Sequence, residues 1–109
     1  MVYNTIYKER INMYNILKTG RFEKWFNSIK DTYTKAKIDV KIRRMELGNL
    51  GDVKPVGDGI SETRIHCGSG LRIYFYLQGN VVIILLCGGD KSTQQKDIEI
   101  AKELKKCLK

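Results

Sequence analysis

Phe22, Trp25, Phe26 and Ile29 are spaced by three and four residues, which predicts an amphipathic helix starting near Thr19 or Gly20. Ile38, Ile42 and Met45 trace a second apolar line, which Asp31 or Thr32 is placed to cap and Gly48 to end. Helices joined so tightly predict an antiparallel helical hairpin. Ahead of them Met13 to Lys18 reads as a short strand, and residues 1 to about 11 as an N-terminal extension or a first strand. From Gly48 to Gly59 the chain is polar and glycine-rich, holds the only proline, Pro55, and reads as a loop carrying Lys54. The period then changes to two. Ile60 to Cys67, Leu71 to Gln78 and Val81 to Leu86 read as strands joined by Gly68-Ser69-Gly70 and Gly79-Asn80, connections that predict an antiparallel sheet. A last helix from about Ser92 puts Ile100, Ala101, Leu104, Cys107 and Leu108 on one face. The layout is α+β, a helical hairpin on an antiparallel sheet with a C-terminal helix. Without repeats, low-complexity tracts or a linker, residues 1–109 read as one domain.

The two-residue period also sorts the polar side chains. Glu62, Arg64 and His66 share a face of their strand, as do Arg72, Tyr74 and Tyr76 of the next, opposite Leu71, Ile73, Phe75 and Leu77. The apolar side suits the helix pair. The other is expected to be an open face, with Lys54 entering from the loop and Lys91 from the end of the last strand. Mixed polar residues are ordinary on a solvated sheet, but cations and aromatics with one acid also form the mixture that grips phosphates and stacks bases. In the run from Leu85 to Thr93, Gly88-Gly89 reads as a backbone turn and Ser92 with Gln95 as a capping box. Lys91 would then stand at a strand-to-helix junction, which suits an anion.

Composition narrows the partners. With 109 residues, 42% of them hydrophobic, the chain can bury one modest core. Its 20 Lys and Arg against 12 Asp and Glu leave a net charge of +8, which suits nucleic acid or an acidic protein segment as well as a merely soluble basic surface. The apolar run at 81–86 is too short to span a bilayer, and Lys8, Glu9 and Arg10 stand where a signal peptide needs apolar residues. Cytoplasmic residence without a membrane partner is the expectation. Cys67, Cys87 and Cys107 are odd in number and form no C-x-x-C pair, so they read as buried hydrophobes rather than a disulfide framework or zinc site. The sole histidine, His66, neighbours Cys67 in the chain and so points to the opposite strand face, which argues against thiol catalysis. No cofactor or metal is expected.

Four segments carry a family resemblance: Gly48-Asn49-Leu50-Gly51-Asp52-Val53-Lys54-Pro55-Val56-Gly57, Glu62-Thr63-Arg64-Ile65, Gly70-Leu71-Arg72-Ile73-Tyr74-Phe75 and Leu86-Cys87-Gly88-Gly89-Asp90-Lys91-Ser92. In this order, over about residues 13 to 108, they resemble the RelE/ParE toxin superfamily, and more closely the HigB-like branch of addiction-module killer proteins. The resemblance implies a RelE-like α+β fold and the toxin of a type II toxin-antitoxin system. Such a toxin is a metal-independent endoribonuclease that cuts mRNA on the translating ribosome. It also implies a cognate helix-turn-helix antitoxin, through which alone promoter DNA is bound. Arg72 falls where the ribonuclease members keep an arginine after a Gly-aromatic pair, although Leu71 replaces the aromatic here. Arg64 falls at a basic position before the hairpin glycines, and Lys91 where many members keep an arginine past the last strand. The tyrosine that some members hold in the C-terminal segment is missing, and Asp97 stands near its place.

On these correspondences Arg72 and Lys91 would stabilise charge on the phosphate, with Lys54, Arg64 and Tyr74 holding the RNA. Glu62, His66 and Lys91 are the candidates for the base that activates the ribose 2′-OH. A surface role for His66, an ion pair for Glu62 and plain strand-forming for Tyr74 are the competing readings. ParE members poison DNA gyrase instead, so a ParE-like gyrase inhibitor without nuclease activity is the alternative, and a non-catalytic binding module a third. The convergence of Lys54, Arg64, Arg72 and Lys91 weighs toward the nuclease, because a gyrase binder has no chemical reason to concentrate them.

Overall fold

In the computed structural model, which describes residues 13–108, the chain runs β1 (Asn15–Lys18), α1 (Gly20–Ser28), α2 (Thr32–Glu46), β2 (Val53–Gly57), β3 (Ile60–Ile65), β4 (Leu71–Gln78), β5 (Val82–Asp90) and α3 (Gln94–Cys107). The extension read over residues 1–11 lies outside the described residues. One five-stranded sheet has the order β1-β5-β4-β3-β2. β3, β4 and β5 pair antiparallel in sequence order, as expected, and β2 adds antiparallel to β3, but β1 runs parallel to β5, with Asn15 opposite Val82 and Lys18 opposite Leu85. Parallel pairing needs a long crossover, and everything from α1 to β4 supplies it.

The stretch from Gly48 to Gly59 is not all loop. Val53–Gly57 forms β2, whose Val53, Lys54 and Pro55 stand opposite Thr63, Glu62 and Ser61 of β3. Lysine, proline and glycine disguise it, yet all three are tolerated at a sheet edge, where one row of backbone groups needs no partner strand.

α1 begins where its cap is also a tether. The Thr19 side chain accepts from Phe22 N at 3.0 Å, and its hydroxyl donates to Leu86 O at 2.6 Å, fixing the helix start against β5. α2 ends where Gly48 takes a φ of 98°, a conformation that side chains resist. Phe22, Ile38 and Met45 of the helices pack with Ile65, Ile73, Phe75, Ile83 and Leu85 of the sheet into one core.

A second core lies on the other face, and it corrects the expectation of an open one. α3 covers Ile60, Tyr74, Tyr76, Ile84, Leu86 and Cys87, with Ala101 wholly buried against them. A β-bulge contributes: Tyr74 pairs with Cys87 and Phe75 with Leu85, so Leu86 is the extra residue and both Leu86 and Cys87 turn toward α3. Strand alternation breaks there and gives α3 an apolar seat.

Gly88 and Gly89 are also not a turn. Both lie inside β5, and both lack side chains because something occupies the space. A Cβ on Gly88 would fall on Cε3 and Cζ3 of Trp25 and 2.6 Å from Cη2, and one on Gly89 would fall on the Asp97 carboxylate and 2.8 Å from Thr93 Oγ1. The capping box belongs to Asp90 and Thr93 rather than Ser92 and Gln95: Asp90 accepts from Ser92 N at 2.9 Å, Thr93 is the reciprocal partner, and a 3₁₀ turn over Lys91–Thr93 precedes α3. Of the cysteines Cys87 is buried, Cys67 half-buried and Cys107 exposed, so the apolar face of α3 fades before its end.

Candidate functional site

The register of β3 on β4 sets Arg64 directly opposite Arg72, and Glu62 opposite Tyr74. Two guanidiniums facing each other across a ladder repel unless an acid lies between them. Glu62 supplies it from the diagonal position, with Oε2 3.6 Å from Arg72 Nε and 3.8 Å from Arg64 Nε. Gln94, at the start of α3, donates from Nε2 to Glu62 Oε1 at 3.0 Å. Glu62 is 0% exposed and Arg72 8% exposed, whereas the Arg64 side chain is 39% exposed.

These ion pairs are longer than hydrogen bonds. Among the described residues Glu62 Oε2, Arg64 Nε, Arg72 Nε and the Tyr74 hydroxyl are buried and have no hydrogen-bond partner. Such orphaned atoms carry a desolvation cost and mark a cluster whose donors are not fully used. Burial first, and the Glu62 carboxylate second, push the Tyr74 phenol well above its ordinary pKa, so it is a neutral group and no base.

The network continues to the exposed end of β3. Asp52, just before β2, places Oδ2 4.0 Å from Arg64 Nε and 3.7 Å from His66 Nε2, while its carbonyl accepts from Arg64 N at 3.2 Å. His66 lies past the end of β3, and its side chain is 78% exposed. Lys54 is exposed on β2 opposite Glu62, so it shares that face of the sheet. Lys91 is exposed in the turn before α3, tied to none of these side chains among the described residues.

The structure thus brings Glu62, Arg64 and Arg72 together, with His66 joined to Arg64 through Asp52. It places Tyr74, 0% exposed, beneath α3, where no base can stack on it in this conformation. No local sequence pattern marks Asp52 or Gln94 as members of the site. Asp52 emerges only once β2 is recognised, and Gln94 only once α3 is known to lie over Glu62.

A larger cleft of about 730 Å³ lies beside β5, lined in part by Arg21, Lys24, Trp25, Asp90 and Asp97. Its cations Arg21 and Lys24 equal its carboxylates Asp90 and Asp97 in number, as Arg64 and Arg72 equal Glu62 and Asp52, but among the described residues only the latter group holds buried guanidinium Nε donors without a partner. Burial and the nearby Asp97 push the Cys87 thiol at the cleft up to about 12, which removes it as a nucleophile near neutral pH. Among the described residues no three His, Cys, Asp or Glu side chains are grouped to hold a metal. Among them, too, no helix is long and apolar enough to cross a membrane.

Residues 24–106 match the family described as phage derived protein Gp49-like (DUF891). The chain belongs to this Gp49-like family. An uncharacterised protein of Haemophilus influenzae (strain ATCC 51907 / DSM 11121 / KW20 / Rd) is 52% identical over 89 residues, which are 82% of this chain and 90% of that protein. Two solved structures share the fold of this Gp49-like protein at low identity. The free E. coli toxin RelE, in a mutant form, superposes with a TM-score of 0.61 at 16% identity, covering 89% of this chain and 99% of that one. The toxin-antitoxin complex RelBE2 of Mycobacterium tuberculosis contains a chain that superposes with a TM-score of 0.57 at 13% identity, covering 72% and 99%. The Gp49-like chain therefore has the α+β fold of RelE toxins.

Proposed function

We propose that this Gp49-like protein is the toxin of a type II toxin-antitoxin pair, a HigB-like and ribosome-dependent mRNA endoribonuclease that acts in the cytoplasm and stops translation. The observation that carries the reading is the pairing of Arg64 and Arg72 across the ladder around a buried carboxylate, in a chain of net charge +8. The ribose 2′-oxygen attacks the adjacent phosphorus, the P–O2′ bond forms, and the P–O5′ bond breaks. Arg72, Arg64 and Lys91 stabilise charge on the phosphorane, each worth roughly 3 kcal/mol if aimed at the developing charge. Lys54 holds a flanking phosphate.

Glu62 is committed to two guanidiniums and Gln94, so it serves as their counterion. His66, exposed and 3.7 Å from the Asp52 carboxylate, is the better proton acceptor from the 2′-OH, with Asp52 orienting its ring. Lys91, exposed in the turn before α3, is the proposed donor of a proton to the leaving 5′-oxygen. No metal or other cofactor is needed in this scheme. A cognate helix-turn-helix antitoxin, which also binds the promoter DNA, covers the basic face, a reading supported by the fold shared with a chain of a toxin-antitoxin complex.

The test is a reconstituted elongation complex compared with the same mRNA free in solution, each with and without EDTA. Cleavage inside the decoding-site codon, unaffected by EDTA and absent from free mRNA, is the expected result. Equal cutting of both substrates would indicate a free ribonuclease. One observation favours a second reading: Glu62 is wholly buried and Arg72 nearly so, which leaves little of either to meet a reacting phosphate and suits a protein that does not cut. Failure to cut either mRNA, together with inhibited supercoiling, would establish the ParE-like gyrase inhibitor.

A further inference from the structure

Away from the Glu62 cluster, α2 carries its own line of charge. Lys37, Lys41 and Arg44 recur at i, i+4 and i+7 and so form one stripe. Across a groove of about 320 Å³ from that stripe stand Arg64 and His66 of the β3 end. Asp52 is a carboxylate that already faces Arg64, His66 and Lys41, and Glu62 lies beside Arg64 as well. Lys41 is packed against Gly51, and burial lowers its pKa while Asp52 opposes the shift and Arg44 adds to it. Burying part of an ammonium is unfavourable in the free protein, and an added anion offsets that cost.

The groove also has an aromatic wall. Tyr33 is 64% exposed, and the Lys37 ammonium lies 5.8 Å from its ring centroid. Cations in a row beside an exposed ring are the elements that track a single strand and stack its bases. From residue 37 to residue 44 the stripe spans about 10 Å of helix, the length of about three phosphates of a stacked strand. Arg64 borders both this groove and the Glu62 cluster, so the two surfaces are continuous.

We propose that the groove between α2 and β3 is a second nucleic-acid site, which holds the backbone of single-stranded RNA leaving the candidate site. Lys37, Lys41, Arg44 and Arg64 meet the phosphates there, and Tyr33 stacks a base. RNA as the partner is taken from the reading above, but binding in the groove does not require cleavage.

The experiment measures the affinity of a fluorescein-labelled single-stranded RNA for the full-length protein by anisotropy, over salt from roughly 50 to 200 mM. Four phosphate contacts give an expected slope of log K against log salt of about −3. Lys37→Glu with Arg44→Glu should weaken binding about tenfold or more and make the slope shallower by about 1.4, the share of two contacts. Lys102→Glu with Lys106→Glu on α3 makes the same change of net charge elsewhere and should do far less. Tyr33→Ala should weaken binding without changing the slope. Circular dichroism checks the fold of each variant, and Lys37→Gln with Arg44→Gln replaces the glutamate pair if that pair unfolds the protein.

Equal losses from the α2 and α3 pairs would reduce the effect to net charge and overturn the site, as would no loss from the α2 pair. RNA affinity unchanged by the α2 pair while binding of poly-glutamate is lost would assign the groove to an acidic protein segment and also overturn it. A protein that cuts no ribosome-bound mRNA but shows the groove-dependent slope keeps this proposal and loses the nuclease. Codon cleavage with an indifferent groove does the reverse.

Discussion

Gly88→Ala tests how α1 is locked onto β5. The new Cβ would fall on Cε3 and Cζ3 of Trp25 and 2.6 Å from Cη2, whereas ordinary contact begins at 3.4 Å, so the indole must move by about 1 Å. Phe22, 1% exposed, backs the ring at 5.5 Å between centroids, so the half-buried indole can yield only toward the cleft that it lines. Overpacking of this kind costs about 1–3 kcal/mol. Gly88 does not have a positive φ, so alanine can adopt its backbone and returns about 0.4–1 kcal/mol through the unfolded state. The net loss is about 1–2 kcal/mol, a fall in Tm of roughly 5–10 °C. Urea melts followed by the emission of Trp25, the one tryptophan, read both the stability and the displaced ring. Trp25→Leu removes the obstacle, and circular dichroism on the double variant should show coupling of at least about 0.5 kcal/mol. Gly20→Ala, with nothing within 4 Å of its Cβ, is the control and should be neutral or slightly stabilising. Unchanged stability with unchanged emission, or strict additivity with Trp25→Leu, would refute the contact.

Three further outcomes follow from the site and its surroundings. Arg72→Ala or Lys91→Ala should relieve growth arrest in cells with the fold retained by circular dichroism, and cut codon cleavage by roughly a hundredfold or more; full toxicity of the double variant would remove both from the mechanism. Iodoacetamide at neutral pH should label Cys107 quickly, Cys67 more slowly, and Cys87 only on unfolding, since the Cys87 thiol is pushed up to about 12; mass spectrometry that finds Cys87 labelled in the native protein would contradict its burial. Hydrogen bonds from Ser92 hold the Asp90 carboxyl below its ordinary value of 3.8, so its stabilising contribution is complete above that value and is lost as pH falls through the lower folded-state value. Asp90→Ala should therefore cost about 1 kcal/mol at pH 7 and little in strong acid, read from urea melts at both pH values.

The sequence shows the elements whose local pattern is also their tertiary environment. Phe22, Trp25, Phe26 and Ile29 face one core, so the helical stripe is visible, and Leu71 to Gln78 matches β4 because alternation holds along its length. β2 escapes because Lys54, Pro55 and Gly57 lack strand character and owe their conformation to pairing with β3. Gly88 and Gly89 illustrate a different limit. A glycine required by close approach looks in sequence like one required by a turn, and only Trp25 and Asp97 distinguish them. A period of two shows that Arg72, Tyr74 and Tyr76 share a face but not that α3 covers it, and the bulge at Leu86 hides the apolar seat. Glu62, Arg64 and Arg72 were legible as a group because adjacent antiparallel strands set them side by side. Asp52 and Gln94 join through a missed strand and a helix docking, neither of which is written in local sequence.

The position of Glu62 is itself informative. Arg64 and Arg72 face each other across the β3–β4 ladder, and three apolar residues of similar volume would commonly leave a fold as stable or more so. Stability alone therefore gives a weak reason for the cluster. The carboxylate has a more specific consequence, because at 3.6 and 3.8 Å it neutralises part of the repulsion without closing a hydrogen bond to either Nε. A bidentate carboxylate would have used those donors. Among the described residues the one side-chain hydrogen bond to the Glu62 carboxylate comes from Gln94, and a bond to a charged acceptor contributes about 1.5–3 kcal/mol net. Glu62 thus keeps two guanidiniums close with their Nε donors unpaired, while a charge-assisted hydrogen bond from Gln94 ties it to the helix that covers it. On the proposed nuclease reading, a phosphate, with more acceptor oxygens than the carboxylate and a charge that both arginines can share, would take up these unused Nε donors.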